Sequence, residues 1–161
     1  MIRAVFLLAS IIPTLAFGAP IVNLHPDFPV VSGKYQMTNE WSIVLPSEFN
    51  RRFEDGSLVI WRPGITLWID ARNNDDNQSI EERAAWANDT KSTKAYDIEE
   101  IKEKSIYRVG YRLAEESEDQ RAASFNGYAI GNDGHIFISI YFDNESDAEN
   151  AKQIWKSISN E

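Results

Sequence analysis

The chain has no cysteine and only two histidines among its 161 residues. Without cysteine there is no disulfide framework, no thiol nucleophile and no residue to carry a lipid at a lipoprotein leader. His25 and His135 lie far apart in sequence, and zinc asks for three or four nitrogen or sulfur ligands, so a zinc centre is excluded. No Gly-x-Ser-x-Gly elbow is present. Basic residues are scarce as well: 16 Lys and Arg stand against 25 Asp and Glu, a net charge of −9. Nucleic acid and anionic lipid surfaces repel such a chain and are excluded as its main ligands. The acidic balance permits a basic partner and also serves solubility.

Long apolar runs are missing except at the start. Arg3 gives a positive n-region, residues 5–15 a short apolar stretch, and Ala16-Phe17-Gly18 small residues at the two positions a signal peptidase reads. Residues 1–18 therefore read as a signal peptide cut after Gly18. The apolar stretch is too short to span a bilayer and contains Pro13, so no stable membrane anchor is expected. An exported domain without cysteine must be held by its core alone, which suits a bacterial periplasm, and the expected location is periplasmic or secreted.

Residues 19–33 hold Pro20, Pro26, Pro29 and Gly33 and read as an extended lead-in; residues 34–161 read as a single domain. Residues 35–38 and 41–45 are short strand candidates, the second closed by Pro46, with residues 47–53 a loop or helical turn. Asp55-Gly56 and Pro63-Gly64 are turn pairs around two strands, and Ile65, Leu67, Ile69 and Ala71 share one strand face. Ser79 and Glu82 form a capping box for a helix with Ile80, Ala84 and Ala87 on its buried stripe. Residues 91–104 are polar, and only Ile98 and Ile101 suggest a short helical turn. Residues 105–114, 122–130 and 135–142 alternate as strands, the last two joined through Gly131-Asn132-Asp133-Gly134. A second capping box, Ser146 with Glu149, opens a helix whose apolar face is Ala148, Ala151, Ile154, Trp155 and Ile158. The expected fold is α+β: a mainly antiparallel sheet of about six to seven strands with helices packed on it.

Three segments carry a family resemblance: Trp41-Ser42-Ile43-Val44-Leu45-Pro46 with Phe49, the Ser79-x-x-Glu82 helix start, and Gly134-His135-Ile136-Phe137-Ile138-Ser139-Ile140 followed by Ile154-Trp155-Lys156-Ser157-Ile158. Together they make most of residues 35–158 resemble the PsbP-like sandwich. The resemblance implies an α/β sandwich serving as an interaction scaffold. Members of that family are mostly accessory and binding proteins, among them a photosystem II subunit and chaperones of secreted toxins, and the family has no catalytic residue to carry over.

Several constellations compete for a role. His135 follows Asp133 at a turn, where the pair would suit a general base or be merely solvated. Asp70, Asn74, Asp76, Gln78 and Glu81 imitate a calcium loop, spoiled by Arg72 at a ligand position and by Asp75 where glycine makes the turn. Asp143, Glu145, Asp147 and Glu149 are explained by the dipole of the helix they precede. Trp86 lies off its helix's apolar stripe, as an interface anchor or as cover for a neighbouring loop. Arg51 and Arg52, with Arg62 and Arg72, suggest an anion site or local pairing with Glu54 and Asp55.

The reading that follows is an exported, non-catalytic protein without cofactor or metal that binds another protein in the cell envelope, as an inhibitor, an immunity factor or an assembly accessory. The candidate contact residues are Trp86, Arg51 and Arg52, together with the acidic loop of Glu115, Glu116, Glu118 and Asp119. The alternative is a small-molecule or calcium-binding module, and behind it an envelope hydrolase.

Overall fold

The computed structural model describes residues 23–114 and 122–161. Residues 1–22, the expected signal peptide among them, and the acidic positions Glu115, Glu116, Glu118 and Asp119 lie outside the described residues. Nine strands form one antiparallel sheet among the described residues. They are β1 (Val30–Gln36), β2 (Trp41–Glu54), β3 (Ser57–Arg62), β4 (Ile65–Asn73), β5 (Tyr96–Lys102), β6 (Tyr107–Leu113), β7 (Ser124–Ile130), β8 (Gly134–Phe142) and the short β9 (Ser159–Asn160). The order is β1-β2-β3-β4-β8-β7-β6-β5, with β9 on β2. Two four-strand meanders, β1 to β4 and β5 to β8, thus meet at the β4–β8 ladder. Helix α1 (Ile80–Thr90) carries the chain from one meander to the other, and α2 (Ala148–Lys156) follows β8.

The expected α+β class is therefore overturned: two helices of eleven and nine residues accompany nine strands, and the fold is mainly β. Residues 47–53 are not a loop, because β2 runs on through Pro46. Its pairing with β1 jumps from Gly33–Leu45 to Val31–Phe49, so a bulge absorbs the proline, whose missing N–H leaves no ladder bond unmade. The polar stretch 91–104 contains no helical turn; it holds β5, an edge strand whose side chains are mostly exposed and so never alternate. The lead-in enters the sheet at Val30. The second capping box does not form: a 3-10 turn, Glu145–Asp147, precedes α2 and no side chain caps it.

Elsewhere local chemistry and structure agree. Asp55 and Gly56 both take positive φ, 51° and 89°, as a two-residue β-hairpin turn requires. The Ser79 hydroxyl accepts from the Glu82 amide at 3.1 Å while the Glu82 carboxylate accepts from the Ser79 amide at 2.8 Å.

The main core lies under α2. Ile43, Ile60, Leu67, Ile136, Ile138 and Ile140 are fully buried with Ala151, Ile154, Trp155 and Ile158. Since α2 touches β2 as well as β6, β7 and β8, the sheet curls around it. A second, smaller core forms where Ala84 and Ala87 of α1 meet Tyr107, Val109 and Ile130. Neighbouring residues on a strand face opposite ways, so Gly110 and Gly127 against Trp155 put α2 on one face of β6 and β7 and leave the other to α1. That double cover explains why β6 is buried almost throughout.

Both sheet edges are blunted against strand addition. β1 has its irregularity at Gly33, and β5 a register shift between Tyr96 and Glu99 with Asp97 at φ 49°. Lys152 lies 3.5 Å from both Asp97 and Glu99, and Lys156 also pairs with Glu99, so α2 holds the β5 edge by charge. Among the described residues no helix is long and apolar enough to cross a membrane.

Candidate functional site

The loop between β4 and α1 is tied to the β7–β8 hairpin. Asn74 accepts from the Gln78 amide at 2.9 Å through Oδ1, and its Nδ2 donates to the carbonyls of Gln78 at 2.9 Å and Asn132 at 3.0 Å. The Asn74 amide also donates to the Asp133 carbonyl at 2.9 Å. From the first turns of α1, Arg83 reaches the same hairpin, its Nη2 donating to the carbonyls of Gly131 and Asn132. Arg83 is only 4 % exposed, and its Nε and Nη1 are buried without a hydrogen-bond partner. Burial pulls its pKa down, and the nearby Asp133 charge opposes that.

One turn further along α1, Trp86 lies over the sheet. Its ring centroid is 5.5 Å from Tyr128, edge to face, and 5.4 Å from His135. Tyr128 in turn is 4.7 Å from Phe137, so four rings continue one another across β7 and β8. Trp86 nevertheless stays 45 % exposed. Between this ring set and the β4–α1 loop lies a cleft of about 310 Å³, open to solvent. Its lining includes Asn73, Asp75, Asp76, Gln78, Arg83, Trp86 and His135. A second hollow of about 280 Å³ separates α1 from β5, where Asn88 donates to the Tyr107 hydroxyl at 2.7 Å.

His135 is held neutral. Burial first, then the charges of Arg83 and Arg72, push its pKa below the ordinary value, and its Nδ1 is buried without a partner. No hydrogen bond or ion pair joins it to Asp133 among the described residues, so the general-base pair, one of the two readings of this turn, is not assembled; the charge of Asp133 is felt by Arg83 instead. The sign of the pH effect follows. Below about pH 6.5 the unfolded chain takes up a proton that folded His135 resists, so its contribution is complete above that value and is lost as pH falls toward the depressed folded pKa. A His135→Gln variant is expected to flatten the stability difference between pH 7 and 5, measured by denaturant melts. An unchanged slope would place the titration elsewhere.

The other sequence candidates do not converge. Asp70 accepts from the Ser57 hydroxyl at 2.6 Å and Asn74 is spent on loop closure, so the calcium-like loop does not gather its ligands. Among the described residues no three His, Asp or Glu side chains form a group fit for a metal ion. Arg51 and Arg52 are successive strand residues and face opposite ways. Arg52 donates to Glu54 at 2.6 Å and stacks over Trp61 at 4.7 Å, whereas Arg62 lies over Phe49. Glu145 does not serve the α2 dipole, being gripped by Arg112 through two bonds of 2.8 and 2.9 Å.

Arg83 escaped the sequence reading although its signal was present. Positions 80, 83, 84 and 87 are the i, i+3, i+4, i+7 set of a buried stripe, and an arginine among them had to find carbonyls inside. His135 entered as a catalytic candidate; its role as a ring packed against Trp86 depends on α1 crossing β7 and β8, which spacing alone does not show. No protein-family model matches the chain, and no curated protein matches it.

Proposed function

We propose that the mature chain is a recognition protein of the exported compartment, which holds an envelope component at the Trp86 cleft without transforming it. One observation carries this: an indole left 45 % exposed yet fixed by ring contacts to Tyr128 and His135, at the rim of a cleft whose loop wall is itself locked by Asn74. A half-exposed aromatic with a rigid backing loses little entropy on contact, which is the character of an anchor residue. Among the described residues the other exposed large apolar side chains are spread over three strands: Val30 on β1, Val44 and Phe53 on β2, and Tyr96 and Ile98 on the edge strand β5. With both edges blunted, addition of a partner's strand is disfavoured. The leader-like start of the sequence supports the compartment.

Thermal melts of the mature protein against separate envelope fractions (soluble proteins, glycan fragments, low-mass filtrate) test the reading. One fraction is expected to raise the melting temperature of wild type and not of Trp86→Ala, since a ligand at about a hundredfold its Kd adds about 2.7 kcal/mol. No shift with any fraction, or equal shifts in both proteins, would overturn it.

A further inference from the structure

We infer that the occupant of the Trp86 cleft is a saccharide, a neutral polyhydroxylated ring of an envelope glycan; this rests on the recognition reading above and names its ligand class. Asp75 and Asp76 on the rim, Arg83 in the wall and Arg72 near His135 set both signs of charge around the cleft, so a ligand of one strong charge meets repulsion as well as attraction. A wholly apolar ligand would strand the rim's polar groups away from water. What remains is a ligand that is uncharged, has hydroxyls and presents an apolar face.

The side chains match that description. Asn73, Asp75, Asp76 and Gln78 line the cleft, and none of their side chains is engaged by another described residue, in contrast to the fully spent Asn74. Carboxylates accept, amides do both, and a sugar hydroxyl both donates and accepts, so planar polar side chains in this mixture satisfy neighbouring hydroxyls. Arg83, 4 % exposed, also lines the cleft, and its Nε and Nη1 find no partner among the described residues. The indole of Trp86, 45 % exposed at the cleft, offers a π system to the C–H face of a pyranose, whose axial hydrogens carry partial positive charge. The cleft's 310 Å³ lies at the small end of ligand sites, room for one or two sugar units, and its open side lets a longer chain continue outward.

The test uses the mature protein and defined probes: chitotetraose, cellotetraose, maltotetraose and a peptidoglycan disaccharide. Indole and backbone N–H resonances are followed by NMR, with the Trp86 indole assigned by its loss in Trp86→Phe and binding to the Trp86 variants read from the backbone amides. At least one probe is expected to shift the Trp86 resonance with a dissociation constant of about 1 mM or tighter. Trp86→Ala should weaken that binding about tenfold or more, Trp86→Phe less, and Asp76→Ala, an exposed change, about threefold. If no saccharide moves Trp86 while the protein fraction or the low-mass filtrate still raises the wild-type melting temperature in a Trp86-dependent way, the saccharide inference is overturned and the recognition reading stands. If nothing binds, both fall. Shifts that Trp86→Ala and Asp76→Ala leave intact would also overturn it.

Discussion

Gly127→Ala is expected to destabilise the fold by about 1–3 kcal/mol, and Trp155→Ala by about 3–5 kcal/mol, yet the two together should cost little more than the tryptophan change alone. Trp155 is fully buried, and its indole N–H donates to the Tyr128 carbonyl at 3.1 Å. The ring rests on backbone: a methyl at Gly127 would sit 2.5 Å from its Nε1 and 2.7 Å from its Cδ1, and one at Gly110 3.0 Å from its Cη2. Gly110 and Gly127 are direct partners across the β6–β7 ladder, so two bare backbone positions side by side form the floor on which α2 lands. A methyl at position 127 must lift the indole, strain the bond to Tyr128 and tilt α2 away from the curled sheet.

Glycine inside a strand is otherwise unfavourable, which is why alanine there should be nearly neutral once the indole is gone. Urea melts of the single and double variants measure the coupling. Additive losses would show that glycine serves something other than contact with Trp155.

The parts of the molecule that could be read in the chain are those whose cause is local. The Ser79–Glu82 capping box, the Asp55-Gly56 turn and the isoleucine file of β8 each follow from a handful of adjacent residues, and each stands in the structure. What escaped depends on distant partners. Pro46 reads as a strand end because the bulge that tolerates it requires β1, and the polar stretch holding β5 leaves its conformation open because an edge strand's pairing with β6 needs no apolar alternation. Ser146 and Glu149 have the spacing of a capping box, but Arg112 pairs with Glu145 at the surface and a 3-10 turn takes the box's place. The candidate site divides in the same way. Trp86 was visible as an aromatic off its stripe, whereas its backing rings come from β7 and β8, and Arg83's carbonyls from the hairpin between them.

Arg112→Ala is expected to cost about 2–4 kcal/mol, several times the loss from Glu145→Gln, although the two residues share one ion pair. The asymmetry comes from burial. Arg112 is 5 % exposed; besides its fork onto Glu145 it donates twice to the Ala123 carbonyl, at 2.7 and 3.2 Å, and its guanidinium lies 5.1 Å from the centre of the Phe142 ring. Removing it opens a cavity beside Phe142 and leaves a carbonyl unpaired. The Glu145 side chain is 70 % exposed, so when its charge is neutralised water and the amide oxygen take over much of the fork, and the loss stays within about 1 kcal/mol.

Acid separates the two effects. The Arg112 bond holds the Glu145 carboxyl below its usual range, so its contribution is complete above the unfolded value near pH 4.3 and is lost as pH falls through the folded pKa. Denaturant melts between pH 7 and 3 should therefore show Arg112→Ala weakened at every pH and Glu145→Gln converging on wild type at the acid end. Equal losses at neutral pH would mean that the charge pair, not the buried guanidinium's packing and carbonyl bonds, holds the β6–β7 end against α2.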